Sequence, residues 1–240
     1  MDTAMRKTYR DLFIDFDDTL YDTRGNSTAA LCEVFELFRL APHFPDRQAF
    51  IDNFWHTNTE LWSQYAVGHI SRDHLMLQRF LQPLSLGVNL TVTETLCRQM
   101  SDKFLELGAC KPGLVNGARE LMDYLKSKGY GLHICSNGFR QVQYKKLSAC
   151  GLLPYFDNII LSDEVGAQKP SPDFFAAALR ATGADAQATL MIGDNYQTDI
   201  EGAMNAGLDT MLFNRWDKHF VPPRPATFVV ARLSDIMKIL

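Results

Sequence analysis

Apolar and polar positions follow three different rhythms along this 240-residue chain. Near its start, Leu12, Phe13, Ile14 and Phe16 make a short, almost unbroken apolar run. That pattern predicts a strand buried on both faces of a parallel sheet. The run ends in three carboxylates, Asp15, Asp17 and Asp18. From residue 27 to about 107, apolar residues recur at helical spacing with almost no β-branched runs. This predicts helices over 29–38 and 46–65, a third opened by Ser71 as N-cap, and a fourth running to about 107. Thr91 with Glu94 three residues on reads as a capping box for the fourth. Four helices with short connections predict an up-and-down bundle inserted after the first strand.

Beyond residue 108 the rhythm becomes α/β. Helices are expected over 117–128, 141–150, 171–181 and 198–205, alternating with strands over 130–135, 156–161, 189–192, 210–213 and 227–230. Alternation of this kind builds parallel βαβ units. The expected fold is therefore α/β, with a five- or six-stranded parallel sheet. Residues 1–21 and 109–240 form the core, and residues 22–108 form a helical insertion at the ligand-binding edge.

Composition narrows the partners. Net charge is −4 and the sequence pI about 5.8, so no cationic excess suits a nucleic-acid polymer or an anionic membrane. Five scattered cysteines with no CxxC pair predict free thiols in a reducing compartment. Residues 1–7 are polar with no apolar signal core behind them, and no run approaches a membrane span. The expectation is a cytoplasmic protein, a monomer or weak dimer, acting on a small molecule.

Candidate chemistry sits at the predicted strand ends, where ligands bind in open α/β sheets. Asp15 and Asp17, two apart, share a strand face and could meet one cation that relieves their repulsion. Ser136, Asn137 and Gly138 follow the next strand, and such a turn before a helix can hold phosphoryl oxygens. Lys169 precedes Pro170 and can offer a point charge to phosphate. Asp194 and Asn195 follow a further strand, with Asp199 in the next turn; Asp199 could equally serve as a helix cap.

In order, Asp15-x-Asp17-x-Thr19, Ser136-Asn137, Lys169-Pro170 and Gly193-Asp194-x4-Asp199 resemble the four motifs of the haloacid dehalogenase (HAD) superfamily. The resemblance implies a Rossmann-like core, and the placement of the insertion looks like the C1-type cap of that superfamily. It further implies that Asp15 is the nucleophile forming an aspartyl-phosphate and that Asp17 is general acid, then base. Thr19, Ser136, Asn137 and Gly138 would bind substrate, and Lys169 would neutralise charge. Mg2+ would be held by Asp15, the Asp17 backbone carbonyl and Asp194, with Asp199 and Asn195 behind them. As the resemblance has it, dehalogenases lack the second carboxylate and need no metal, so Asp17 favours phosphoryl transfer. Asp18 stands where the superfamily often has glycine; it is expected to be tolerated, though its added charge next to the metal could raise metal affinity or alter cap contacts. Residues 58–65 and 68–71 resemble the cap of HAD pyrimidine 5′-nucleotidases, with Trp55, Trp62, Tyr65 and Phe16 as candidates to stack on a base. The expected activity is Mg2+-dependent hydrolysis of a nucleoside 5′-monophosphate. A sugar-phosphate or phosphoglycolate phosphatase is the enzymatic alternative, and a phosphate-binding regulatory protein the non-enzymatic one.

Overall fold

The structure is a computed structural model describing residues 8–217 and 219–240, so the expected absence of a signal core in residues 1–7 lies outside it. In chain order the elements are β1 (Asp11–Ile14), α1 (Thr23–Leu37), α2 (Arg47–Ala66), α3 (Arg72–Leu84), α4 (Glu94–Ala109), α5 (Ala118–Ser127) and β2 (Gly131–Ser136). There follow α6 (Arg140–Ala149), β3 (Asn158–Leu161), α7 (Ser162–Val165), α8 (Pro172–Thr182), β4 (Thr189–Gly193), a π-helical turn (Tyr196–Glu201), α9 (Gly202–Asn205), β5 (Asp209–Phe213), β6 (Phe228–Val230) and α10 (Leu233–Ile236). They divide into two compact units, residues 1–22 with 114–240 and residues 23–113.

The first unit is built on a six-stranded parallel sheet in the order β3-β2-β1-β4-β5-β6. Chain order reverses at β1, which has β2 on one side and β4 on the other, and ligand crevices of doubly wound sheets open at such a reversal. Ile14 pairs with both Ile134 and Ile192, so the three central strands end nearly together. Strand period two sorts their side chains. Leu12, Ile14, Leu132, Ile134, Leu190 and Ile192 join one core, packed with Leu121, Met122 and Leu125 of α5. Phe13, Cys135 and Met191 face the other way, onto Phe174, Phe175 and Ala178 of α8.

The second unit has its own core, in which Phe50 and Phe54 of α2 meet Phe35, Phe80, Met100 and Phe104. Arg79 is buried there, donating to the Ser101 hydroxyl and carbonyl and lying 5.1 Å from the Phe104 ring centre. Burial pulls its guanidinium down to about 9.

Helix starts follow side-chain capping. Asp46 and Ser71 cap α2 and α3 by accepting from Ala49 and His74 N–H. The cap of α4 is Thr93 and not Thr91: its hydroxyl accepts from Leu96 N–H at 3.2 Å. Glu94 is thus the first helical residue rather than the far end of a capping box. Thr93→Ala is expected to cost about 1 kcal/mol and Thr91→Ala close to nothing, as read by denaturant unfolding. Helix α1 begins at Thr23, several residues before its apolar repeat declares itself. The expected helix from 198 opens instead as a π-turn at Tyr196, because the Asn195 side chain takes both Gln197 and Thr198 N–H. All five cysteines are free, and no described helix is long and apolar enough to cross a membrane.

Candidate active site

Asp15 directly follows β1, and its N–H donates to the Ile192 carbonyl at 2.8 Å, extending the ladder to β4. Its two oxygens are held by different elements. Lys169 Nζ donates to Oδ1 at 2.7 Å and Thr19 Oγ1 to Oδ2 at 3.1 Å. The same ammonium also donates to Asp199 Oδ1 and to the Cys135 carbonyl, each at 2.7 Å. All three donors of a buried lysine are therefore used.

Asp199 reaches this point because the π-turn widens the backbone after β4, a device common at functional sites. Its other oxygen accepts from Asn195 N–H at 3.1 Å. Gly193 leaves the room: a Cβ there would stand 2.3 Å from Asp199 Oδ2. Oxygens of Asp15, Asp194 and Asp199 come within 4.8 Å of one another.

Burial pushes the Asp15 carboxyl up to about 7; Lys169 pulls it down, while Asp199 and Asp17 push it further up. Asp194 is also raised, by burial first and then by Asp15, Asp199 and Asp18. For Lys169, burial disfavours the ammonium, but Asp15 and Asp199 outweigh it and hold it above its ordinary value. An all-oxygen cluster with excess negative charge fits a hard cation such as Mg2+. With Asp199 bonded to Lys169, Asp15 and Asp194 are the pair best disposed to hold it.

A carboxyl raised on folding makes the folded chain hold protons that the unfolded chain releases. Stability from this source is full below about pH 4 and falls as pH rises through 7, with Asp194 acting in the same direction. The unfolding midpoint of metal-free protein is expected to fall between pH 5 and 8, and added Mg2+ to reverse most of that fall at pH 8. A flat profile in EDTA would contradict it.

The remaining expected residues are placed as follows. Ser136 ends β2, buried, its Oγ accepting from Gly138 N–H at 3.0 Å. Asn137, expected at the substrate, has its side-chain amide donating to the Lys169 carbonyl and accepting from Lys169 N–H, each at 2.8 Å. It fastens the lysine loop. Thr19, also expected at the substrate, is fully buried and donates to Asp15. Phe16 packs in the core, its ring centre 5.2 Å from that of Tyr21, and cannot stack on a ligand. In the second unit, Trp55 donates to Thr28 and carries the Arg24 guanidinium 4.0 Å over its ring.

Three residues escaped the sequence reading. Gln143 and Lys146 of α6 both donate to Asp17, each at 2.5 Å. Arg215 donates to Asp18 at 2.7 Å and approaches Asp22 at 3.5 Å. Asp18 has φ 61°, the left-handed region that favours glycine and that aspartate tolerates better than most residues. Its charge is met by Arg215 and also acts on Asp194, which it helps to raise. Beside Asp194 a cavity of about 420 Å³ is lined in part by Tyr196, Leu212, Trp216 and Phe220.

Comparison with known proteins bears on this arrangement. Residues 11–207 match the haloacid dehalogenase-like hydrolase family. The HAD-hydrolase YfnB of Bacillus subtilis is 33% identical over 98% of this chain and 96% of its own. The pyrimidine 5′-nucleotidase PynA of Streptococcus pneumoniae is 30% identical over 97% and 95%. A glyceraldehyde 3-phosphate phosphatase of Methanothermobacter thermautotrophicus is 31% identical over 85% and 84%. The crystal structure of magnesium-bound YfnB matches with a TM-score of 0.87 at 29% identity, over 97% of this chain and 99% of that one. Matched along most of its length in sequence and in fold, the chain belongs to the haloacid dehalogenase-like hydrolases and is a HAD-type phosphatase.

Proposed function

We propose that the chain hydrolyses phosphomonoesters through an aspartyl-phosphate on Asp15, with Mg2+, and that its substrates are pyrimidine nucleoside 5′-monophosphates. The observation that carries the mechanism is the Lys169 ammonium 2.7 Å from both Asp15 and Asp199 at the carboxyl ends of the central strands. A carboxylate so placed suits nucleophilic attack on phosphorus, which divides one difficult displacement into two.

In this reading Asp15 attacks phosphorus, the ester oxygen departs, and Asp17 supplies the proton that oxygen needs. Asp17, now ionised, takes a proton from the water that hydrolyses the acyl phosphate, returning Asp15 as a carboxylate. Lys169 and the Ser136 hydroxyl offset the phosphoryl charge. Asp15 and Asp194, with the Asp17 carbonyl, would hold Mg2+, whose chemistry is to neutralise charge on the transferring group. Asp199 and Asn195 keep Lys169 and the loop after β4 in place.

The nucleotide assignment is supported by the pyrimidine 5′-nucleotidase PynA, similar to this chain over nearly its whole length. A sugar-phosphate reading is favoured by one observation, the 31% identity to glyceraldehyde 3-phosphate phosphatase. Phosphate release with Mg2+ from UMP, dUMP, dTMP, glyceraldehyde 3-phosphate and phosphoglycolate separates them. Preference for a pyrimidine nucleotide by about ten-fold or more in kcat/KM supports the first reading; preference for a sugar phosphate replaces the substrate and keeps the mechanism.

A further inference from the structure

Gln143 sits fully buried on α6 between Phe139 and Leu147, four residues away on either side. Its amide nitrogen donates to Asp17 Oδ2 at 2.5 Å and to Ser136 Oγ at 2.7 Å. This orientation suits the ionised Asp17 that follows proton transfer to the leaving oxygen, since a carboxylate only accepts and then faces the NH2 group. The amide oxygen, by contrast, is buried without a partner among the described residues. A buried acceptor left unsatisfied is a cost the fold tolerates to keep the nitrogen where it is.

Gly138 shows the same constraint from the other side. A Cβ on Gly138 would lie 2.0 Å from Gln143 Nε2, so any side chain here would displace this amide. Three residues further along α6, Lys146 donates to the other Asp17 oxygen at 2.5 Å. Residues three apart share a helix face, and this face grips both oxygens of one carboxylate.

Ser136 completes the accounting. Its hydroxyl accepts from Gly138 N–H and from Gln143, which fills both lone pairs. Its one proton has no acceptor among the described residues and is left to donate to a bound group. Gln143 thus fixes Ser136 as a donor while it fixes the direction of Asp17.

We propose that Gln143 is a positioning residue for phosphoryl transfer, holding the Asp17 carboxylate and the Ser136 hydroxyl in register, with Lys146 as a second hold on Asp17 alone. The inference rests on the phosphatase mechanism proposed above. It divides two effects: losing Gln143 disturbs both the phosphoryl donor and the proton supplied to the leaving oxygen, while losing Lys146 disturbs only the second.

The test compares Gln143→Ala, Gln143→Glu, Lys146→Met and Lys146→Arg on two esters with Mg2+. p-Nitrophenyl phosphate has a leaving group that needs little protonation, and phenyl phosphate one that needs more. For both Gln143 variants, kcat/KM is expected to fall about 100-fold on phenyl phosphate and about 10-fold on p-nitrophenyl phosphate. Lys146→Met should lose about 10-fold on phenyl phosphate and little on the nitrophenyl ester, with Lys146→Arg restoring most of it. Gln143→Glu keeps the side-chain volume, so its unfolding midpoint serves if the alanine variant folds poorly. Equal losses on the two esters, or no loss, overturn the positioning role. Wild-type protein inactive on both esters, with Mg2+ present, overturns the phosphatase mechanism itself, and does so before any variant is made.

Discussion

Asp15→Asn is expected to lower phosphate release by at least about 10³-fold on every phosphomonoester, while the protein stays folded. An amide cannot attack phosphorus as a carboxylate does, and no neighbouring acid among the described residues is held in the same way. Asp15 lies between the Lys169 ammonium and the Thr19 hydroxyl at the end of β1. The variant also removes a buried charge whose carboxyl stands at about 7. Metal-free Asp15→Asn should therefore unfold no earlier than wild type at pH 8, since relief of desolvation offsets the lost bond to Lys169. Phosphate release from the purified variant and thermal unfolding in EDTA together check both halves. Retained turnover would remove Asp15 as the nucleophile.

Lys169→Met carries the second large effect, and here activity and stability fall together. Removing the cation leaves Asp15 and Asp199 buried with no positive partner between them among the described residues. Breaking a buried pair by deleting one member costs about 3–5 kcal/mol. The penalty applies to ionised carboxylates, so it should be largest near pH 8 and shrink towards pH 5 as Asp15 takes up a proton. Denaturant unfolding at the two pH values reads this directly. Turnover should fall at least about 100-fold at either pH, because a preorganised charge at the reacting group is lost. A variant of wild-type stability at pH 8 would mean that the carboxylates are neutralised by something other than Lys169.

The sheet and its acid cluster were legible because local pattern and function coincide there. Leu12, Phe13 and Ile14 read as a buried strand on their own, and Asp15 is conspicuous only as the break in that run. Thr93 was missed in favour of Thr91 because both are threonines near one helix start and Glu94 fits a capping box with the earlier one. The choice is made by backbone, Thr93 being extended at φ −118° and ψ 153°. Gln143 left a signal that went unread: a polar residue at the buried phase of the repeat Phe139, Gln143, Leu147. What it touches, Asp17, lies 126 residues away, and Arg215 lies 197 residues from Asp18. Pairings of that range depend on the folded sheet and have no local trace.

The strand order carries a consequence for how this protein is made. β1 is central in the sheet, yet its two neighbours are encoded far downstream, after a unit with a core of its own. On a ribosome adding about 5–20 residues per second, β4 emerges on the order of ten to forty seconds after β1. For the first part of that interval both hydrogen-bonding edges of this apolar strand are unpaired, and once β2 emerges one edge stays open until β4 follows, a hazard that grows with the wait. The segment 23–113 can complete its own packing first, so translation pauses before residue 193 should cost yield more than pauses after it.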